Sequence, residues 1–386
     1  MCGLSVVPGT LRLAAAPCAM IRSMSSGPDG PSVLEVVSLD PAQLTAWEPA
    51  WRALEERAEE AVPFAGFDWL AAWTRVYRPA RLAVVQWRVD GVVLALGLVE
   101  QGRGGRWRFA GRPVSPVRGL LSAPEDRAAA WNALAAWLRE HGRRWGTLDA
   151  EGIEMELAAA LPRTSHVEVE VPVIALPGSF EDYLAERSAK TRTRFRRILR
   201  RVERDGAALS PVDAPDAAAA IDDFVALHSA RAAAKGERHP AIDARLARML
   251  ESLCATPSAG VRLFELARDG RRLGVTVRID RPHATWFYNA GFDPAASALT
   301  PGIALELASI RDAIGQASRR HDLGPGLYPY KLELGGVVEL RADVRAASPT
   351  AGGRILRAGE VAVAQARERL PLGGIARSAR SRLSRP

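Results

Sequence analysis

The residues best suited to chemistry lie between Val261 and Lys331 and in the helices expected just before that segment. Thr300-Pro301-Gly302 opens one such helix. A helix N-terminus presents unpaired N–H groups and about half a positive charge. Pro301 is preorganised for the first helical position, and Gly302 lets a ligand approach the backbone closely. No acid appears until Glu306, past the first turn, so these three residues form a candidate phosphate site. Upstream, His228 falls in the helical stretch Asp222–Lys235 beside the apolar Phe224, Val225 and Leu227. An imidazole that titrates near neutrality could take a proton from an amine or a hydroxyl. Arg231, three residues on and on the same helical face, could hold an anion. The plainer alternatives are a packed histidine and a surface arginine. Lysine is scarce: Lys190, Lys235 and Lys331 are the only three among 52 basic residues.

The elements that must position these groups recur. Ala83–Val89 and Val92–Glu100 flank Asp90-Gly91, the two-residue signal for a β-hairpin. A short strand near Trp107–Ala110 follows, then a helix opened by Pro124 to about His141, then a strand at Gly146–Ala150. The same order returns with Val261–Arg268, Asp269-Gly270, Arg271–Asp280, Ala284–Phe292, a helix from Pro301 to about Gln316, and a strand end at Arg320–Leu323. Two copies of one hairpin–strand–helix–strand unit are therefore expected, joined by helices. Ahead of the first copy, Val33–Leu39 reads as a strand, Asp40-Pro41 as a helix start, and Phe67–Tyr77 as an aromatic-rich helix. Between the copies come a strand near Val167–Leu176, a capping box at Ser179–Asp182, one long basic helix ending at Gly206, and helices at about Asp216–Lys235 and Pro240–Cys254. The copies differ where an anion would bind. The first helix opens Ala123-Pro124-Glu125-Asp126, whose carboxylates would repel a phosphate, so the second copy is the better candidate site.

Composition sets outer bounds. The chain has 386 residues, a length that favours two domains. No run of eighteen apolar residues exists, so no membrane-spanning segment is expected. Cys2, Cys18 and Cys254 form no C-x-x-C pair, and the six histidines contain no i, i+4 pair, so neither a disulfide framework nor a metal site is expected. A reducing, cytoplasmic compartment fits this usage. Net charge is +8, but it is concentrated. Residues 187–204 hold nine bases and one acid, and residues 341–386 hold ten arginines and three acids. Such patches attract anions of many kinds.

Several short motifs, in order, resemble bacterial GNAT-type acyltransferases of the BioF2-like or cellulose-biosynthesis CelD-like group, relatives of the FemABX aminoacyl transferases. They are Ser188-Ala189-Lys190-Thr191-Arg192, Leu227-His228-Ser229-Ala230-Arg231, Lys235-Gly236, Tyr288–Pro294, Thr300-Pro301-Gly302, Asp322–Gly326 and Tyr330-Lys331. The resemblance covers about residues 33–335. It implies an α/β (α+β) fold of tandem GNAT-like domains, each a mixed, mainly antiparallel sheet flanked by helices. The expected division is a disordered leader at 1–32, an N-terminal domain at 33–176, a C-terminal donor domain with its helical connection at 177–343, and a basic tail at 344–386. The true start is read at Met20 or Met24 as an alternative to Met1.

The resemblance also implies roles. Acyl-CoA, acetyl-CoA above all, is the expected co-substrate, held at Thr300, Pro301 and Gly302. His228 is the expected base, Tyr288 a proton donor to the leaving thiolate, and Lys331 a stabiliser of developing negative charge. Lys190, Arg231, Lys235 and Asp293 are expected to bind the acceptor, although Asp293 also suits a turn cap. In the basic helix Phe195, Ile198, Leu199 and Val202 form an apolar stripe. Lys190, Arg194, Arg197 and Arg201 form a second stripe, either a solvated face or a guard for CoA phosphates, an acidic sugar or tRNA. The leading expectation is acyl transfer from CoA to an amine or hydroxyl of a small-molecule or glycan acceptor, in cell-envelope or polysaccharide metabolism. The rivals are an aminoacyl-tRNA-dependent Fem-like transferase, the one reading that brings in nucleic acid, and a non-catalytic GNAT-like scaffold.

Overall fold

The computed structural model describes residues 20–350, apart from 28–29, 59–61, 163 and 238. Residues 1–19 of the expected leader and 351–386 of the expected tail lie outside the described residues. Regular structure starts earlier than Val33, with β1 (Met20–Gly27) pairing antiparallel to β2 (Gly30–Leu39). The chain then forms α1 (Glu48–Arg57), α2 (Phe67–Tyr77), β3 (Leu82–Val89), β4 (Val92–Gln101), β5 (Arg106–Phe109), β6 (Leu121–Ser122), α3 (Pro124–Glu140) and β7 (Thr147–Glu154). Next come α4 (Met155–Ala160), β8 (Ser165–Ala175), α5 (Phe180–Ala185), α6 (Ala189–Arg204), β9 (Ala207–Pro211), α7 (Ala217–Ala234) and α8 (Ala244–Cys254). The last stretch holds β10 (Val261–Arg268), β11 (Arg271–Arg281), β12 (Ala284–Phe292), α9 (Pro301–Gly315), β13 (Arg320–Asp322), α10 (Pro329–Glu333) and β14 (Val337–Ala347).

The repeat is visible element by element. The β3–β4 hairpin turns on Asp90 and Gly91, at φ 51° and 81°, and the β10–β11 hairpin on Asp269 and Gly270, at 53° and 73°. Two successive left-handed residues make the turn whose twist matches a right-twisted hairpin, which is why Asp-Gly recurs there. Each copy then places its next strand parallel to a strand that follows the Pro-initiated helix. β5 runs parallel to β7, and β12 parallel to β13.

The strand order departs from two separate sheets. It runs β1-β2-β3-β4-β5-β7-β14-β8-β13-β12-β11-β10-β9, one continuous sheet. β8 follows the first copy in sequence but pairs with β13 of the second, while β14 follows the second copy and pairs with β7 of the first. The two exchanged strands then pair with each other from Val337↔Val173 to Arg345↔Ser165. The division expected from sequence groups β8 with the first copy and cuts β14 at residue 343/344. A strand's own side-chain alternation does not say which sheet edge it joins, so this exchange is a tertiary outcome.

One core is common to both halves. Trp51, Leu54, Trp69, Leu70 and Trp73 of α1 and α2 pack with Ile221, Phe224, Met249 and Leu250 of α7 and α8, over Val84, Leu98, Val275 and Val277 of the sheet. Full burial of each such side chain contributes roughly 1.5–3 kcal/mol. On the opposite face α3 and α4 cover the first half, and α5, α6 and α9 cover the second. Arg278, 0% exposed, fixes α9 to β11: it pairs with Asp280 and Asp312 and donates to the Ser309 carbonyl at 2.5 Å.

The single basic helix expected after Ser179 is two helices. Ser179 caps α5 by accepting from Asp182 N, and Ser188 starts α6 by accepting from Thr191 N. At the break between them Arg187 donates to the Leu334 carbonyl. Among the described residues no helix is long and apolar enough to cross a membrane, and no cluster of three or more His, Cys, Asp or Glu could hold a metal ion.

Candidate active site

In the second copy two neighbouring strands part, and the divergence between them is the candidate cleft. β12 and β13 pair at Ala284↔Arg320, Thr285↔His321 and Trp286↔Asp322, and there β13 ends. The chain turns at Asp322, whose carboxylate accepts from Gly324 N at 2.8 Å, and then follows β8, with Leu323 N donating to Pro172 O and Gly326 N to Glu170 O. β12 runs on to Phe292 without that neighbour. At Ala290 the N–H reaches its own neighbour's Asn289 Oδ1 at 2.8 Å, and the carbonyl lies 3.2 Å from His228 Nδ1. Main-chain groups on a free strand edge are what an extended acyl donor would pair with. In the first copy the corresponding gap is closed. Beyond the β5–β7 pairs the chain returns, and Arg118 and Glu151 exchange backbone hydrogen bonds and form an ion pair.

The helix expected to bind phosphate opens onto the arginine stripe. Thr300 sits in the left-handed region at φ 51°, and α9 has no acid in its first turn. Thr300 and Ala298 form one wall of a groove of about 230 Å³, and Arg194, Arg197, Ile198 and Arg201 of α6 form the other. Arg201 donates to the Ala298 carbonyl at 3.0 Å, and Arg194 pairs with Glu333 of α10, so both are held in place. The groove thus joins two features that are far apart in sequence, a positive helix end and a row of guanidinium groups, each favourable to phosphate. By contrast α3 carries Glu125 and Asp126 in its first turn, and Asp126 is paired to Arg57.

Phe292 connects this helix end to α7. A Cβ on Gly302 would lie 3.1 Å from the Phe292 ring, and the Arg231 guanidinium stacks on that ring 4.6 Å from its centroid. Arg231 therefore stands beside the α9 N-terminus, and its charge acts on the Tyr330 phenol, which burial pushes above its ordinary range. Lys331 is 3% exposed. Its ammonium donates to the carbonyls of Gly324 and Pro325 at 2.8 and 2.9 Å, so it ties down the turn that lines the cleft. Burial lowers its pKa to about 8, against the opposing charges of Asp322 and Glu306.

His228 is 5% exposed, and burial holds its imidazole below the ordinary range. Its Nδ1 faces Ala290, while Nε2 is buried with no hydrogen-bond partner among the described residues. Gly291 makes this approach possible, because a Cβ there would lie 2.4 Å from Phe224 O and 2.7 Å from His228 N. Lys190 and Lys235 are exposed, at the first turn of α6 and the end of α7.

Two expected site residues have other partners in the fold. The Tyr288 hydroxyl donates to Val114 O at 2.9 Å, and its ring packs on Phe64 and Trp69, so it clamps the two halves together. Asp293 accepts from Ala295 N and pairs with Arg271, the contacts of the turn cap that its position also suggested. Sequence reasoning also passed over His321 and gave Glu306 no role beyond lying past the first turn. His321 is 0% exposed and Glu306 2%, with 2.6 Å between Nε2 and Oε1. The one available signal was an acid inside an otherwise apolar helix face.

Residues 189–332, from α6 through α10, match the family model described as an acetyltransferase (GNAT) domain. No curated protein matches the chain by sequence. Among solved structures the chain is similar to FemX, at 11% identity and a TM-score of 0.57 over 76% of this chain and 94% of that one. It is also similar to L-PGS from Bacillus licheniformis, at 12% identity and a TM-score of 0.53 over 84% and 96%. At such identities the likeness is one of fold. Residues 189–332 are thus similar to a GNAT-type acetyltransferase domain, and the fold is similar to that of FemX.

Proposed function

We propose that the protein is an acyltransferase that moves an acyl group, acetyl in the first instance, from CoA to an amine or hydroxyl acceptor. The observation that carries this reading is the groove in which Thr300, at the α9 N-terminus, faces Arg194, Arg197 and Arg201. The pyrophosphate belongs at Thr300-Pro301-Gly302 and the remaining phosphate on the arginines. The pantetheine then lies along the free edge of β12 toward Ala290. The acceptor's lone pair attacks the thioester carbon, the C–S bond breaks, and CoA leaves as the thiolate with the bonding electron pair, to be protonated by the imidazolium of His228 or by solvent. His228, held neutral by burial, takes the acceptor's proton at Nε2. Lys331 places positive charge behind the Gly324–Gly326 turn. Arg231, Lys190 and Lys235 receive an anionic acceptor. The short motifs support assignment to the BioF2-like or CelD-like group, with a small-molecule or glycan acceptor of envelope or polysaccharide metabolism. A cytoplasmic setting accords with the free thiol of Cys254.

Titration of the purified protein with acetyl-CoA and with CoA tests this, and saturable binding is expected. No binding at millimolar concentration overturns it. A Fem-like reading has one observation in its favour: Arg197 and Arg201 also line a second, open hollow with Arg200 and Arg204, which extends the cationic surface along α6. Retention of charged tRNA that falls steeply with salt would promote it.

A further inference from the structure

Where β13 ends, the chain leaves β12 through Leu323-Gly324-Pro325-Gly326, and this turn is pinned from two sides. On one side Asp322 Oδ1 accepts from Gly324 N at 2.8 Å. On the other the Lys331 ammonium holds the carbonyls of Gly324 and Pro325. The turn stands against β12: a Cβ on Gly324 would lie 3.6 Å from the carbonyl oxygen of Phe287, one residue past the last β12–β13 pair. The position of Gly324 therefore sets the width of the gap between the parted strands.

Asp322 is 1% exposed, and a carboxylate that deep needs a counter-charge as well as hydrogen bonds. Its other oxygen, Oδ2, is paired with Arg341, whose side chain is 11% exposed. Arg341 does not come from the strands of the second copy. It sits on the exchanged strand β14, at the pair Arg341↔Glu154 that opens the β14–β7 ladder, and on its other edge it faces Val169 of β8. The match to the acetyltransferase family model ends at residue 332, ahead of this strand. Glu339, two residues back on β14, lies 3.6 Å from Arg341 and forms a two-bond pair with Arg320 of β13, each bond 2.6 Å. The row Arg320, Glu339, Arg341, Asp322 thus alternates in sign and ties β14 to β13 across β8. The counter-charge of Asp322 arrives from a strand that also borders the first half.

We propose that Arg341 is a positioning residue: through Asp322 it fixes the Gly324 turn, so the candidate cleft of the second copy is completed by a strand shared with the first. The guanidinium neutralises the carboxylate at one oxygen and leaves the other aimed at Gly324 N. Without Arg341 the buried carboxylate loses its ion-pair partner. It must then swing toward water, or take up a proton and accept more weakly, and in either case the turn loosens. The consequence for transfer rests on the acyl-transfer reading, but the effect on the turn does not. Gly324 follows a leucine, so leucine labelled with carbon-13 at its carbonyl and glycine labelled with nitrogen-15 select its amide among the Leu-Gly pairs. Gly97 of β4 and Gly274 of β11, selected in the same way, are references in the two halves.

In Arg341→Met the Gly324 amide is expected to exchange with solvent about tenfold faster or more, the equivalent of one hydrogen bond to a charged group, while Gly97 and Gly274 hold. With acetyl-CoA as donor, kcat should fall by about tenfold or more, because the turn sets the geometry at the reacting end. The Kd of CoA should stay within about twofold, because the phosphates bind at the distant arginine groove. Asp322→Asn keeps an oxygen for Gly324 N and removes the charge that needs Arg341. Combined with Arg341→Met it should restore slow exchange and turnover, which would not happen if Arg341 itself touched substrate. Unchanged Gly324 exchange in Arg341→Met overturns the proposal, and so does an equal rise at all three glycines or a double variant that stays fast. If Arg341→Met does not fold alone, the Asp322→Asn background decides. There Arg341→Met must leave Gly324 exchange unchanged, and a rise overturns the proposal. A shifted exchange in a protein that transfers no acyl group would sink the acyl-transfer reading and leave this inference intact.

Discussion

Arg197 offers a direct probe of the groove. It is exposed on α6 and lines both the groove at Thr300 and the hollow beyond it. Its replacement by glutamate should leave the fold alone, since surface changes of this kind usually stay within about 0.5 kcal/mol of stability. Its effect on a phosphate ligand should be larger. Two unit charges about 4 Å apart in water interact by about 1 kcal/mol. Reversing the sign turns that attraction into an equal repulsion, a change of about 2 kcal/mol, or roughly 30-fold in Kd. The helix end adds about 0.3–1 kcal/mol that the substitution leaves in place. Calorimetric titration with CoA at low ionic strength should show this loss. The loss should shrink toward about 1 M salt, where the Debye length falls to about 3 Å. Arg196→Glu is the control, because Arg196 is equally part of α6 but pairs with Glu181 outside the groove. Equal affinity of Arg197→Glu and wild type at low salt would refute the placement of the phosphates, and so would an equal loss in Arg196→Glu.

Two further outcomes follow from contacts around the cleft. Gly291→Ala puts a methyl group within 3.0 Å of two backbone atoms of α7, so the helix must move. A loss of about 1–3 kcal/mol in urea unfolding is expected, as for other overpacked sites, and an unchanged midpoint would contradict the packing of α7 on β12. Lys331 gives a signed pH dependence. Its folded pKa of about 8 lies below a lysine's ordinary 10.5, so the unfolded chain binds more protons between those values. Stability contributed by this group is therefore fully present above the unfolded pKa and lost as pH falls through the folded one. The full shift corresponds to about 3 kcal/mol. The urea-unfolding free energy of wild type relative to Lys331→Met should rise from about pH 7.5 to about pH 9.5. A difference that is flat across that window would show that Lys331 is not protonated more weakly in the fold.

Local chemistry makes much of this molecule legible in its sequence. Asp-Gly dipeptides between β-rich runs specify a hairpin turn, and Pro-initiated helices declare their own starts, so the two copies of the repeated unit stood out by order alone. The absence of acids in the first turn of α9, and the apolar and basic stripes of α6, are likewise properties of consecutive residues. Only the tertiary structure decided who meets whom. It brought the arginine stripe to Thr300, across about a hundred residues of chain, and it exchanged β8 and β14 between the halves. It also turned Tyr288 into a clamp on Val114 and buried Lys331 behind two carbonyls. The cluster of Thr285, His321 and Glu306 had no sequence signature, because a strand pairing and a helix crossing jointly create it. Periodicity and turn residues act over a few bonds, whereas burial, and with it the protonation of Lys331, depends on which distant segments exclude the water.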